Sequence, residues 1–152
     1  MKESPSGIGG WLLVLMIWLG ISLLIGTIYN LYTIFISWNG GGLIQNISLS
    51  VSCAFLVWYA WYACVLFDFV KLRLRSVKKV KLVLILGPAL NILYPFICGA
   101  IFSYYFPVVD LGEILKNIYT PDSAYSYLGP VIISIIWYIY LNKSRRVANT
   151  YS

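Results

Sequence analysis

The sequence WLLVLMIWLGISLLIGTIYNLYTIFI occupies residues 11–36 and contains no charged side chain. A helix needs about 20 predominantly apolar residues to cross the hydrocarbon core of a bilayer. This stretch therefore predicts a membrane-spanning helix that is tilted or kinked. It is too long for a cleaved signal peptide, and no small-residue cleavage pattern follows it, so we expect it to remain in the protein.

The composition of the whole chain favours the same environment. Hydrophobic residues make up 61% of the 152 residues and charged residues only 11%, whereas a soluble domain carries about 25% charged residues. A small soluble domain has too little interior to hide so many apolar side chains. The solvent that suits them is lipid.

Three further apolar stretches predict additional spans. Together the four predict an all-α integral membrane protein, a single domain over residues 1–152 that forms a four-transmembrane-helix bundle. The predicted spans cover residues 11–36, 47–68, 82–106 and 123–141.

The lysines and arginines are distributed unevenly between the two sides of this arrangement. Ten of the eleven lie before the first span, between the second and third spans, or after the fourth. The positive-inside rule therefore predicts that both termini are cytoplasmic. There the cations would meet anionic lipid head groups. We expect no nucleic-acid binding, because the basic segment 71–81 has no stacking aromatics and no folded reader.

The predicted exterior loop between the third and fourth spans has a helical pattern of its own. Its apolar residues recur at helical spacing, and prolines bracket the segment 107–122. We expect a short amphipathic helix on the outer leaflet. The pattern is formed by Leu111, Ile114, Leu115, Ile118 and Tyr119.

Two polar residues in the predicted spans are candidate functional groups. Asp68 lies at the cytoplasmic end of the second span, three residues before Lys71, so an ion pair between them is one interpretation and a functional carboxylate the other. Asn91 lies between Pro88 and Pro95, which predict a bend in the third helix. Its amide would either donate to carbonyls freed by the bend or mark a hinge or polar pocket.

The second span also carries the sequence WYAWYA at residues 58–63. Trp and Tyr usually lie at membrane interfaces, but these lie near the middle of the run. Their polar groups then need partners within the protein. Tight packing is one interpretation and an aromatic-lined cavity the other.

The two ends of the chain resemble the DUF2569 family of small bacterial inner-membrane proteins. Members of that family open with an I-G-G-W-L segment at the first helix and close with a Y-x-x-x-S-x-R-V-x-x-T-[FY] box after the fourth. The resemblance implies a multi-pass protein of the bacterial inner membrane but no reaction, because no activity is established for the family. The matching residues are Ile8, Gly9, Gly10, Trp11 and Leu12, then Tyr140, Ser144, Arg146, Val147, Thr150 and Tyr151.

These matching ends suggest candidate structural or partner-binding positions: Gly9, Gly10, Trp11, Ser144, Arg146, Val147, Thr150 and Tyr151. We expect the C-terminal tail to fold back onto the start of the first helix. Val147 and Tyr151 would bury their apolar parts, and Arg146 would bond backbone carbonyls or Asp68.

Catalytic groups are scarce in this sequence. Histidine is absent, and Cys53, Cys64 and Cys98 form no C-x-x-C pair. We therefore expect a non-enzymatic protein without a cofactor or a metal site. The main hypothesis is a partner-binding or accessory protein that engages membrane lipids and either another protein or a second copy of itself. The alternative is a subunit of a small transporter or channel.

Overall fold

A computed structural model describes residues 10–38, 42–73, 75–106, 112, 115–116 and 120–151. Within these residues the regular structure is helical, and no strand occurs there. The main elements are α1 (Trp11–Trp38), α2 (Leu43–Val70), α3 (Ser76–Tyr105), α4 (Pro121–Lys143) and the short α5 (Arg145–Thr150). Gly9 and most of the predicted amphipathic segment lie outside the described residues.

Three helices are long and apolar enough to cross a membrane. They are α1 over its whole length, Gln45–Val70 of α2, and α3, with mean hydropathies of 2.4, 1.7 and 1.9. The apolar part of α4, Leu128–Lys143, is shorter. The prediction of a helical protein compatible with a membrane is confirmed, whereas the fourth span and the orientation of the termini stay predictions.

The helices extend beyond the apolar runs that predicted them. The clearest case is α3, which begins at Ser76 rather than near residue 82. Residues 76–81 are rich in lysine, but a helix satisfies its backbone internally whatever its side chains are. Hydropathy therefore identified the apolar part of α3 that suits lipid, but it did not identify the first helical turns, which carry the lysines.

The chain divides into two compact units. One contains residues 1–81 and 141–152, and the other contains residues 82–140. In the second unit, α3 includes Pro88 and Pro95, and α4 includes Pro130. Asn91 is exposed there, and its role stays a prediction.

In the first unit, α1 and α2 pack along one seam. The buried side chains of α1 recur at helical spacing, Leu12, Leu15, Met16 and Leu19, which is the pattern of one helix face. Ser37 near the end of α1 contacts Ser48 near the start of α2, and Leu19 earlier in α1 contacts Tyr62 later in α2. The two helices are therefore antiparallel. We call this contact the α1–α2 seam.

Two tyrosines of the WYAWYA segment lie in this seam. The Tyr62 hydroxyl donates a hydrogen bond of 2.9 Å to the carbonyl of Leu19, which confirms that its polar group finds a partner within the protein. The Tyr59 ring lies so close to Gly26 that a Cβ there would be 2.7 Å from it. The glycine therefore permits a close approach that any larger residue would oppose.

The outward faces of these helices are strongly apolar. Ile28, Tyr29 and Phe35 are each 65–69% exposed. Large apolar areas of this kind are rare on soluble monomers. They suit a surface that faces lipid tails.

Candidate functional site at the helix ends

A tight turn joins α2 to α3 in the first unit. The N–H of Lys71 donates to the carbonyl of Phe67, and that of Arg73 donates to the carbonyl of Asp68. Leu72 and Arg75 have positive φ angles of 54° and 71°. A left-handed conformation costs a residue with a Cβ about 1–2 kcal/mol. The contacts around the turn must offset that cost.

Asp68 joins the two sides of this turn. Its Oδ1 accepts from Arg73 Nη1 at 2.7 Å, and its Oδ2 accepts from Lys79 Nζ at 2.8 Å. The expected partner, Lys71, instead places its Nζ 4.3 Å from the centre of the Phe67 ring. The N–H of Lys71 still bonds to the Phe67 carbonyl as in a helix, but its side chain extends over the Phe67 ring instead of toward Asp68.

The C-terminal tail, residues 144–151, docks beside this turn. Ser144 caps α5, and its Oγ accepts a long bond of 3.4 Å from the N–H of Val147. The Tyr151 ring stacks on Phe69, with centroids 5.0 Å apart and planes 5° apart. Its hydroxyl donates to the Phe69 carbonyl at 2.7 Å. Burial raises the pKa of the Tyr151 phenol above its ordinary value.

Val147 and Tyr151 bury their apolar parts as predicted, whereas docking of the tail onto the start of α1 stays a prediction. Val147 is only 3% exposed, and Tyr151 contacts Phe69 at the end of α2. The Phe69 carbonyl accepts from the N–H of Leu72 at 3.1 Å, and because a carbonyl oxygen has two lone pairs it also accepts from the phenol. We call Asp68, Phe69, Arg73, Lys79 and Tyr151 the helix-end junction.

The other predicted positions contribute differently. The carboxylate of Asp68 is held by Arg73 and Lys79 rather than by Arg146, and Thr150 is half-buried in α5.

Gly10 has a φ of 54°, and a Cβ there would meet nothing within 4 Å. Its glycine is therefore suited to the backbone conformation and not to tight packing. Trp11 beside it is exposed.

A cavity of about 470 Å³ lies next to the junction, within the same unit. One wall comes from the end of the α2–α3 turn, with Arg75, and from the start of α3, with Lys78 and Lys81. The opposite wall comes from the end of α4 and from the tail, including Asn142 and Tyr151. We call this space the basic cavity.

The electrostatics of the basic cavity are one-sided. Three cations line it, and no carboxylate is among its lining residues in the described part of the chain. Lys81 donates through Nζ to Asn142 Oδ1 at 2.8 Å, which joins α3 to the end of α4. From the sequence alone, these cations were expected only to meet anionic lipid head groups. Lys78 and Lys81 are spaced i, i+3 in α3, and that spacing was the available signal that these two share one helix face.

Comparison with known protein families identifies the family of this chain. A family model of DUF2569, described as a protein of unknown function, matches residues 5–152. The chain belongs to the DUF2569 family. The resemblance at its two ends is thereby confirmed, and the family's tail box contains Val147 and Tyr151, two residues that dock the tail. No curated protein and no solved structure matches this DUF2569 protein.

Proposed function

We propose that this DUF2569 protein is a non-catalytic multispan membrane protein that acts by binding. Its organised polar surface is the region formed by the helix-end junction and the basic cavity. On this proposal, the membrane-facing helices provide an anchored frame, and the junction fixes the tail and the α2–α3 turn in one arrangement that another molecule can recognise.

The proposal depends chiefly on the ion pairs that Asp68 forms. A carboxylate that exchanges protons or acts as a general base must have an oxygen available for that task. Both oxygens of Asp68 are instead bound by cations, at 2.7 and 2.8 Å. Such pairing favours a carboxylate that is permanently ionised and structural. It argues against the transporter alternative, which would need this residue to titrate.

We further propose that the binding surface lies in the cytoplasm of a bacterial cell, at its inner membrane. The distribution of lysine and arginine supports this orientation. The contact between Tyr151 and Phe69 supports it too, since it requires the tail and the α2–α3 turn to lie on the same side of the membrane. A reporter enzyme fused after Ser152 should be active only in the cytoplasm, and activity outside it would contradict the orientation.

Site-specific photo-crosslinking in intact membranes tests the binding role. A photoreactive residue at Arg145, which is exposed beside the junction, should capture a stoichiometric protein companion or a second copy of the chain. The matched control is the same residue at Tyr29, which is exposed in the middle of α1 and should capture lipid. Equal protein capture at both positions, or none at Arg145, would contradict a specific surface.

A further inference from the structure

We propose that the basic cavity binds a phosphate ester anion and that a lipid head group supplies it. This inference rests on the proposed binding function and names a ligand class for the same surface. The shared chemistry is a phosphate group held by Arg75, Lys78 and Lys81, with the apolar wall beside it contacting the neighbouring carbon atoms.

Positive charge is concentrated at the cavity. Arg75 at the end of the turn, with Lys78 and Lys81 of α3, brings three like charges to one cavity, where they repel one another. The nearby carboxylate of Asp68 does not relieve this repulsion, because its two oxygens bind Arg73 and Lys79. The first turn of α3 contains no acidic residue, so its cations also oppose the helix dipole. An anion in the cavity would offset both effects.

The shape and mixed character of the cavity bear on the kind of anion it would hold. A volume of about 470 Å³ falls within the range of small-ligand sites. Leu141, Val147 and Ala148 contribute apolar surface opposite the cations. Phosphate esters combine a compact anion with a carbon chain, and this combination matches the two walls. Arg75 is suited to the anion because guanidinium binds phosphate in a bidentate manner.

The position of the cavity along the helices bears on the source of the phosphate. The charge-free part of α3 begins at Leu82, directly after Lys81, and the charge-free part of α4 ends at Asn142, directly before Lys143. Lys81 and Asn142 both line the cavity. The cavity therefore lies where the apolar spans give way to charge, the depth at which lipid phosphates occur. Basic pockets at this depth on the cytoplasmic side bind anionic head groups.

Lipid retention by the purified full-length protein tests the inference. The chain is extracted from vesicles of phosphatidylcholine and phosphatidylglycerol, and bound lipid is counted by native mass spectrometry. We expect the wild type to retain phosphatidylglycerol, and the double variant Arg75→Gln with Lys78→Gln to retain at least roughly tenfold less. The matched control, Lys71→Gln with Arg145→Gln, removes two cations that do not line the cavity and should retain it as the wild type does.

A second variant guards against misfolding of the first. Ala148→Trp fills the cavity without changing the charge and should also abolish retention. Equal retention by the cavity variants and the control would overturn the inference. Absence of phosphatidylglycerol from the wild type would also overturn it, unless the second arm gives binding.

The second arm titrates the detergent-solubilised protein with glycerol 3-phosphate, a soluble phosphate ester. Binding here that Arg75→Gln with Lys78→Gln removes, without lipid retention, would support the phosphate site and overturn its lipid source. A negative result in both arms would overturn the phosphate site. It would not affect the photo-crosslinking result at Arg145, so the proposed binding function and the proposed phosphate site can fail independently.

Discussion

α2 makes two kinds of contact: it packs against α1 along its length, and its C-terminal end contacts the tail. In the α1–α2 seam, contact depends on shape: a glycine receives the Tyr59 ring, and a single buried phenol bonds a carbonyl. In the helix-end junction, contact depends on charge and stacking around Asp68 and Tyr151. Lipid tails are as apolar as leucine, so only close packing and hydrogen bonds can make the seam specific. Water at the junction weakens its ion pairs, and the aromatic stack has to supply much of the stability there.

The largest expected effect concerns the shape of the seam. Gly26→Ala places a Cβ 2.7 Å from the Tyr59 ring, and we expect it to lower the free energy of unfolding by about 1–3 kcal/mol. Reversible unfolding in mixed detergent micelles measures the change. The matched control is Gly20→Ala in the same helix, where the Cβ would lie 3.9 Å from Leu66, an ordinary contact. Equal losses for the two variants would contradict a sterically defined seam.

The next effect concerns the junction. Tyr151→Ala removes the stack on Phe69 and the hydrogen bond to its carbonyl, and should weaken tail docking by about 2 kcal/mol. Tyr151→Phe keeps the ring and should cost about 1 kcal/mol. Deuterium uptake by the backbone of residues 145–151 reports the docking. Arg146→Ala serves as the control, because Asp68 is bound by other cations. A larger effect from Arg146→Ala than from Tyr151→Ala would show that the arginine is the principal contact.

The junction should also respond to alkaline pH. Burial raises the pKa of Tyr151 in the folded state, so its contribution to stability is fully present below the unfolded pKa of about 10. It is lost as the pH rises from there through the folded value. Thermal unfolding of the wild type and of Tyr151→Phe between pH 8 and 11 tests this. The difference between them should shrink above about pH 10, and a constant difference would contradict the burial of the phenol.

The smallest expected effect is that of Asp68→Asn. Its partners Arg73 and Lys79 are more than half exposed, and ion pairs of this kind contribute little and are screened by salt. The melting temperature should fall slightly at low salt and match the wild type at high salt. Lys71→Gln, which breaks no ion pair with Asp68, should show no such salt dependence.

The same Asp68→Asn variant separates binding from transport. Proteoliposomes of the wild type and of the variant should show the same proton and cation flux under the proposed function. Substrate-dependent flux that the variant abolishes would favour the transporter alternative. It would do so even if the variant had normal stability, because the carboxylate would then be needed for the flux itself.

The sequence predicted what depends on neighbours along the chain and missed what depends on neighbours in space. Charge-free runs located the apolar helices, and the tail box identified Val147 and Tyr151 as residues that bury apolar surface. The contact of the tail with Phe69 was missed because nothing in the local pattern marks the Phe69 carbonyl as an acceptor for the Tyr151 hydroxyl. The predicted partner of Asp68 was wrong because the turn after α2 brings Arg73 and Lys79 to the carboxylate, and helical spacing does not predict these contacts. The basic cavity was missed because its two walls come from segments some 60 residues apart, as the bond between Lys81 and Asn142 shows.

The stacking of Tyr151 on Phe69 has a consequence for how the protein is made. The two residues are 82 positions apart, so the ribosome adds the tyrosine long after α2 is complete. At about 5–20 residues per second, that interval is at least about 4–16 s. For those seconds the face of Phe69 on which Tyr151 stacks lacks that partner, and the tail can dock only after α1 to α4 have been synthesised.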